Sequence, residues 1–187
     1  LQNGKDATFS LPLKGGSDCL EVCQREVAAD FNQGKLLNQF KGAYCGAPYF
    51  AQTFPLLEQI VRCNEANLFD FLHHSLLKIC EHLGITTKIK KSSDIAVDRN
   101  LRNQDRVLAL CETVGAISYV NAIGGVDLYS KTSFQEKGIE LKFIRSKPFE
   151  YAQFGDEFVP CLSIIDVMMF NSLDTIQSCV TTNYELI

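Results

Sequence analysis

Residues 107–143 decide the fold class, and they read VLALCETVGAISYVNAIGGVDLYSKTSFQEKGIELKF. Apolar residues at helical spacing over 107–114 predict an amphipathic helix, which a glycine ends before an apolar run at 117–120. The same order then repeats, with a short helix at 133–137, a glycine, and alternating apolar residues at 139–143. Helices that alternate with short strands are typical of right-handed crossovers and a parallel sheet.

The same rhythm occurs upstream of that stretch. Asn67 is placed to cap a helix, Gly84 to end it, and alternation over 85–90 predicts a further strand. The apolar face of this helix is predicted to consist of Leu68, Leu72, Leu76, Ile79 and Leu83. Further elements are predicted as helices at 35–44, 53–61, 162–170 and 175–180 and an edge strand at Thr8–Leu13 that contains Pro12. The sequence therefore predicts one α/β domain over residues 1–187, with a mainly parallel sheet flanked by helices.

Composition restricts the classes of partner. The 187 residues carry 18 Lys and Arg against 22 Asp and Glu, for a net charge of −4. That balance argues against a surface that neutralises nucleic-acid phosphates, so no nucleic-acid partner is expected. No apolar run approaches the roughly 20 residues of a membrane span, and residues 1–6 lack the pattern of a signal peptide.

Eight cysteines bear on compartment and metal binding. Cys80 and Cys111 fall within helical patterns, where a free cysteine behaves as a small apolar residue, so we expect a reducing cytoplasm. Cys19 and Cys23 lie four residues apart, but no second Cys or His pair at zinc spacing follows them. The sequence therefore predicts no metal site.

Three loops follow the predicted strands, where ligands bind in open parallel sheets. We predict that Ser92, Ser93 and Asp94 orient a ligand, and Asp94 is the candidate catalytic residue. The second loop, residues 121–129, contains two glycines that allow its backbone to approach a phosphate closely. The remaining predicted ligand-binding residues are Gly124, Gly125, Tyr129, Tyr151, Gln153 and the nearest candidate cation, Arg106.

Each of these signals has a structural alternative. Gly124-Gly125 is also typical of an ordinary turn, and Ser92-Ser93-Asp94 of a helix start. Ser163 with Asp166 three residues later resembles a capping box more than a ligand contact, and Arg106 is as well explained as a surface residue. The local patterns leave these alternatives open.

Seven segments in order resemble the WbqC-like protein family, over about Phe9 to Asn171. They are Ala47-Pro48-Tyr49-Phe50, Leu83-Gly84-Ile85 with Thr87, Ser92-Ser93-Asp94, Tyr119 to Tyr129, Gly138 to Phe143, Tyr151-Ala152-Gln153, and Phe158 to Asp166. The resemblance implies bacterial surface-polysaccharide biosynthesis of the O-antigen type and transfer of glycine or another activated group. It also implies a nucleotide-binding-like α/β fold.

Two departures from the family accompany the resemblance. Family members usually begin with a strand and a His-Gln-Pro loop, which do not precede Leu1, so we expect the chain to lack N-terminal strands of the family. They also tend to have a glycine soon after the Phe-Asn pair, whereas Phe170-Asn171 is followed by Ser172-Leu173-Asp174.

Two functional hypotheses follow. The first is a cytoplasmic transferase whose activated donor carries phosphate and whose acceptor is a glycan precursor. The second is a non-catalytic ligand-binding or scaffolding protein of a glycan-assembly complex, favoured because no nucleophile, base or cofactor motif stands out. The cofactor, donor and acceptor stay open.

The expected missing strands also predict self-association. Phe9, Leu11 and Leu13 would share one face of the predicted strand, and an unpaired edge invites pairing with a second copy. We therefore expect a homo-oligomer with this segment at or near the interface.

Overall fold

The computed structural model describes residues 5–187 and has a mixed α/β architecture. Single 3-10 turns lie at Val22–Gln24 and Ser92–Asp94, and a longer 3-10 segment at Ile123–Leu128. The helices are α1 (Gln33–Tyr44), α2 (Phe50–Val61), α3 (Leu68–His82), α4 (Asn103–Thr113), α5 (Lys131–Glu136), α6 (Ile164–Phe170) and α7 (Leu173–Thr182), and the strands are β1 (Ser118–Ala122), β2 (Glu140–Ser146) and β3 (Tyr184–Leu186).

The chain divides into two compact units. Unit 1 comprises Leu1–Thr86, described from residue 5, and Glu150–Cys179. Unit 2 comprises Thr87–Phe149 and Val180–Ile187. That residues 1–187 form one domain stays a prediction.

Unit 1 is helical, and its core is built from the apolar faces of α1, α2 and α6. Leu37, Phe40, Leu57 and Met169 are buried together there. The predicted helices at 35–44, 53–61, 162–170 and 175–180 are confirmed by α1, α2, α6 and α7.

Helix α3 confirms the predicted caps but not the predicted apolar face. The Asn67 side chain accepts hydrogen bonds from the N–H groups of Phe69 and Asp70, and Gly84 ends the helix with φ +68°. Leu72 and Leu76 are 46% and 48% exposed. Residues four apart in a helix differ by about 40° beyond one full turn, so successive residues at this spacing point progressively away from the core.

The predicted strand at Thr8–Leu13 was wrong. The segment pairs only at its end, through an isolated antiparallel bridge between Leu13 and Val27. Within the described residues, Phe9 makes a side-chain contact instead, packing edge-on against Phe40 with ring centroids 4.9 Å apart. Pro12 has no N–H to donate, which limits the ladder to this end.

Unit 2 contains a three-stranded sheet of order β1-β2-β3. Strands β1 and β2 are parallel from Ser118↔Glu140 to Ala122↔Ile144, as the repeated helix-glycine-strand pattern predicts. One face of the sheet is covered by a core of Leu108, Cys111, Phe134, Ile139, Leu141 and Phe143. The α/β class with flanking helices is confirmed.

Two features of the strands differ from prediction. Strand β3 was not predicted and pairs antiparallel with β2, which makes the sheet mixed. Residues 85–90, predicted as a strand, are not a strand. Alternating residues define the two faces of a strand but do not supply a neighbouring strand. Ile89 is 37% exposed, so pairing of this segment with another strand would gain little from apolar burial.

The longest helix in the described part of the chain, α3, has 15 residues. None of the helices within residues 5–187 has the length and apolar character that crossing a membrane requires.

Candidate functional site

The carboxyl end of β1 leads into the 3-10 segment Ile123–Leu128, which contains Gly124 and Gly125 and which we call the glycine loop. The Asn121 side chain accepts a hydrogen bond from the N–H of Ala122 at 2.8 Å, and this holds its amide under the loop. A Cβ atom on Gly125 would lie 2.5 Å from Asn121 Nδ2 and 3.5 Å from the Tyr129 ring, so a larger residue there would require the Asn121 side chain to move. A Cβ atom on Gly124 would meet nothing within 4 Å, so that residue faces open space.

Tyr129 closes the other end of the loop. Its ring packs edge-on against Tyr119 and Phe134, with centroids 5.8 and 6.0 Å away. Burial, and then the hydrogen bond with Tyr129, raise the pKa of the Tyr119 hydroxyl to about 12. This aromatic cluster fixes the loop against the unit 2 core.

The first turn of α4 is tied to the same edge of the sheet. Gln104 Oε1 accepts a hydrogen bond from the N–H of Ser130 at 2.6 Å, immediately after Tyr129. Arg106, two residues further along α4, is half-buried. Unit 2 therefore brings Gly124, Gly125 and Tyr129 together and joins the start of α4 to them.

Ser92, Ser93 and Asp94 form an exposed 3-10 turn in the same unit. Their hydrogen bonds are local, with Ser93 Oγ 3.4 Å from Asp94 Oδ1 and the N–H of Asp94 donating to the Lys91 carbonyl. These residues form a single turn and do not start a longer helix, and the proposed contact with a ligand stays a prediction.

Tyr151 and Gln153 lie in unit 1, where both bind one buried carboxylate. The Tyr151 hydroxyl and the Gln153 amide donate to Asp166 Oδ2 at 2.8 and 3.0 Å. The Tyr44 hydroxyl donates to Asp166 Oδ1 at 2.9 Å. Asp166 is 0% exposed, so its carboxylate is stabilised by these donors rather than by water.

Gln153 also fastens the loop that follows it. Its side chain donates to the Val159 carbonyl at 3.2 Å and accepts from the Val159 N–H at 2.9 Å. The amide thus closes residues 153–159 into a loop and anchors that loop to Asp166.

Comparison with known families identifies the chain. The model of the WbqC-like protein family matches residues 1–178 of 187. The chain belongs to the WbqC-like protein family. No curated protein and no solved structure matches it. The matched residues of this WbqC-like chain include both the glycine loop and the Asp166 cluster.

The Asp166 cluster is the part of this WbqC-like protein that sequence reasoning missed. Ser163 caps α6 as predicted, accepting a hydrogen bond from the N–H of Ile165. Asp166 does not complete a capping box, because its carboxylate turns inward to Tyr44. Aspartate in a strongly apolar run, Ile164 to Phe170, was the available signal, since such a residue is rarely buried without partners.

The tyrosines give the first testable prediction. Burial, and then hydrogen bonding to Asp166, raise the pKa of Tyr44 and Tyr151 well above the usual value near 10. Because the folded-state pKa is raised, this stabilisation is complete below about pH 10 and is lost as the pH rises. We expect Tyr44, Tyr119 and Tyr151 to stay protonated at about pH 11 in the native protein, followed by tyrosinate absorbance. Titration in urea is the control, and equal native and unfolded curves would contradict this.

Cys161 gives the second prediction. It is a non-glycine residue with φ 58°, a backbone region that glycine adopts at lower cost. We expect Cys161→Gly to raise the free energy of unfolding by about 0.5 kcal/mol in urea denaturation. Cys45, with φ −58°, is the matched control, and its replacement by glycine should lower that free energy by about 1 kcal/mol. A loss at both positions would show that the Cys161 backbone is not strained.

Proposed function

We propose that this WbqC-like protein is a transferase that modifies a surface-polysaccharide precursor of the O-antigen type. It binds a phosphate-bearing activated donor at the Gly124-Gly125 loop and transfers glycine or another activated group. The observation that supports this is the open space at Gly124, which lies two residues after the end of a strand of a parallel pair. A phosphate can approach backbone N–H groups closely where no Cβ atom intervenes.

The donor site in this proposal uses residues of unit 2. We place the donor site after the parallel pair of strands β1 and β2, because ligands of nucleotide-binding-like folds lie at the carboxyl ends of parallel strands. Arg106 supplies a cation for the donor, and Tyr129 holds the loop. Ser92 and Ser93 orient the transferred group with their exposed hydroxyls.

Asp94 is the proposed general base. As the acceptor hydroxyl or amine attacks the activated carbon, the exposed Asp94 carboxylate takes its proton and the phosphate-bearing group leaves. A role of Tyr151 and Gln153 in acceptor recognition stays a prediction, because the polar groups of both side chains bind Asp166 within unit 1.

Thermal-shift measurements test the proposal with nucleotides, sugar nucleotides and aminoacyl-adenylate analogues. A bound donor stabilises the native state in proportion to the logarithm of its concentration above Kd. We expect at least one phosphate-bearing compound to raise Tm, and phosphate-free analogues to leave it unchanged. If no phosphate-bearing compound stabilises the protein, the proposal is wrong.

A non-catalytic ligand-binding or scaffolding role is the alternative. The observation that favours it is that Gln153 donates and accepts hydrogen bonds inside the protein, as a residue that maintains the fold would. Full function after Asp94→Ala, together with co-purification with glycosyltransferases, would support this role. Product formation that is lost in Asp94→Ala would support the transferase.

We place the protein in the cytoplasm in this proposal. All eight cysteines lie within the described residues and are free thiols, and thiols stay reduced in that compartment. The net charge of −4 supports a small-molecule donor rather than a nucleic-acid partner.

Self-association through the N-terminal segment is a further prediction. Residues 7–10 are exposed, Phe9 among them, and they are not paired in a sheet within the described part of the chain. We expect static light scattering at about 100 μM to give at least twice the 20.9 kDa of one chain, for a dissociation constant of about 1 μM. A strict monomer at that concentration would contradict it.

A further inference from the structure

An apolar cavity of about 270 Å³ lies between the helices of unit 1. It is bounded by α1, α2, α3, the residues that begin α6, and the extended segment that contains Phe9 and Leu11. Its inner wall consists of buried core residues such as Leu57, Ile60 and Phe71. Phe9 and Leu72, which are 47% and 46% exposed, mark its mouth.

The lining is almost entirely hydrocarbon. Twelve of the fourteen lining residues within the described chain are apolar, and the other two are Ser75 and Ser163. The Ser75 hydroxyl donates to the Leu72 carbonyl at 2.7 Å, and Ser163 Oγ accepts from the Ile165 N–H. Both serines therefore already bond within their own helical segments.

The chemistry of the lining excludes most occupants. A stable water needs two to four polar partners, which the wall does not offer. A peptide would bury backbone N–H and C=O groups without partners, at a large cost in free energy. Protein interiors are close-packed, and an apolar cavity of roughly 150 Å³ already binds benzene. A hydrocarbon group suits a larger cavity of the same kind.

We propose that this cavity binds the aliphatic chain of a small amphiphile, with the chain inside and the polar end in water at the mouth. Scaling from the six carbons of benzene gives a chain of about ten carbons. The half-exposed side chains of Phe9 and Leu72 would cover the part of the chain nearest the solvent. This ligand is independent of the donor proposed for the glycine loop of unit 2.

Calorimetric titration of the full chain with n-alkanols from hexanol to tetradecanol tests the proposal. We expect saturable binding at one site, with affinity rising about fourfold for each added CH₂ and levelling near ten carbons. Decanoate should bind as decanol does, because the cavity recognises only the chain. Absence of saturable binding, or affinity that keeps rising to fourteen carbons, would overturn the proposal.

A pair of substitutions on α3 locates the site. Ser75→Leu places a larger apolar side chain in the cavity and should weaken decanol binding at least tenfold. His74→Leu adds the same side chain one position away, outside the lining, and should leave affinity unchanged. Ile79→Phe fills the cavity from the next turn and gives a second test should Ser75→Leu not fold. If a folded cavity-filling variant binds decanol as tightly as the unmodified protein, the chain does not occupy this cavity.

Discussion

Replacing Asp166 by alanine is expected to lower the free energy of unfolding by about 3 kcal/mol, from roughly 1 kcal/mol for each of three donors left unpaired. The substitution removes the acceptor of the Tyr44 and Tyr151 hydroxyls and of the Gln153 amide. The three donors come from α1 and from the 150–160 loop, and Asp166 joins these two segments. The substitution therefore removes the hydrogen bonds that connect them. Urea denaturation followed by circular dichroism measures the change.

Two variants control for this result. Tyr151→Phe removes one donor and keeps the carboxylate, so we expect a loss of about 1 kcal/mol. Asp156→Ala removes an exposed carboxylate from the same loop and should change stability by less than about 0.5 kcal/mol. If Asp166→Ala lowered the free energy of unfolding no more than Asp156→Ala does, the buried cluster would not stabilise unit 1.

Gly124→Ala is expected to weaken binding of the phosphate-bearing donor at least tenfold without destabilising the protein. The added methyl group meets nothing within 4 Å in the protein, so the free energy of unfolding should stay constant or rise by up to about 1 kcal/mol. The same methyl group would occupy the space through which a phosphate reaches the backbone. Loss of one charge-assisted hydrogen bond, worth about 1.5–3 kcal/mol, corresponds to a tenfold to hundredfold change in Kd.

Gly42→Ala is the matched control for that prediction. Gly42 lies inside α1 in unit 1, and a Cβ atom there also meets nothing within 4 Å. Alanine should raise stability by about 0.5–1 kcal/mol and leave donor affinity unchanged. Equal donor affinity in Gly124→Ala and the unmodified protein would remove the glycine loop from the donor site.

Local signals in the sequence were sufficient for the helices and for the parallel pair of strands. Asn67 and Gly84 mark the ends of α3 through a side-chain cap and a left-handed backbone, and both act within a few residues. The apolar alternation after Gly115 and Gly138 likewise identified β1 and β2. A partner was present for each of these strands, whereas the segment at 85–90 has none among the described residues.

Non-local contacts explain what the sequence did not predict. Tyr44 and Asp166 lie 122 residues apart, so no local pattern joins them. Asp166 follows Ser163 at the spacing of a capping box, so the local pattern predicts a helix cap rather than the buried carboxylate that the structure shows. The sequence does not distinguish Gly124 from Gly125, whereas tertiary packing does, because Asn121 and Tyr129 fill the space at Gly125 alone.

The most direct test of the donor site is an amide NMR titration of the full chain with inorganic pyrophosphate, which carries the phosphate chemistry common to the proposed donors. We expect the largest saturable shifts at the backbone amides of Gly124 and Gly125, and we expect Gly124→Ala to abolish them while Gly42→Ala does not. Saturable shifts centred on other residues, or none at these glycines, would contradict the proposal that this loop binds the donor phosphate.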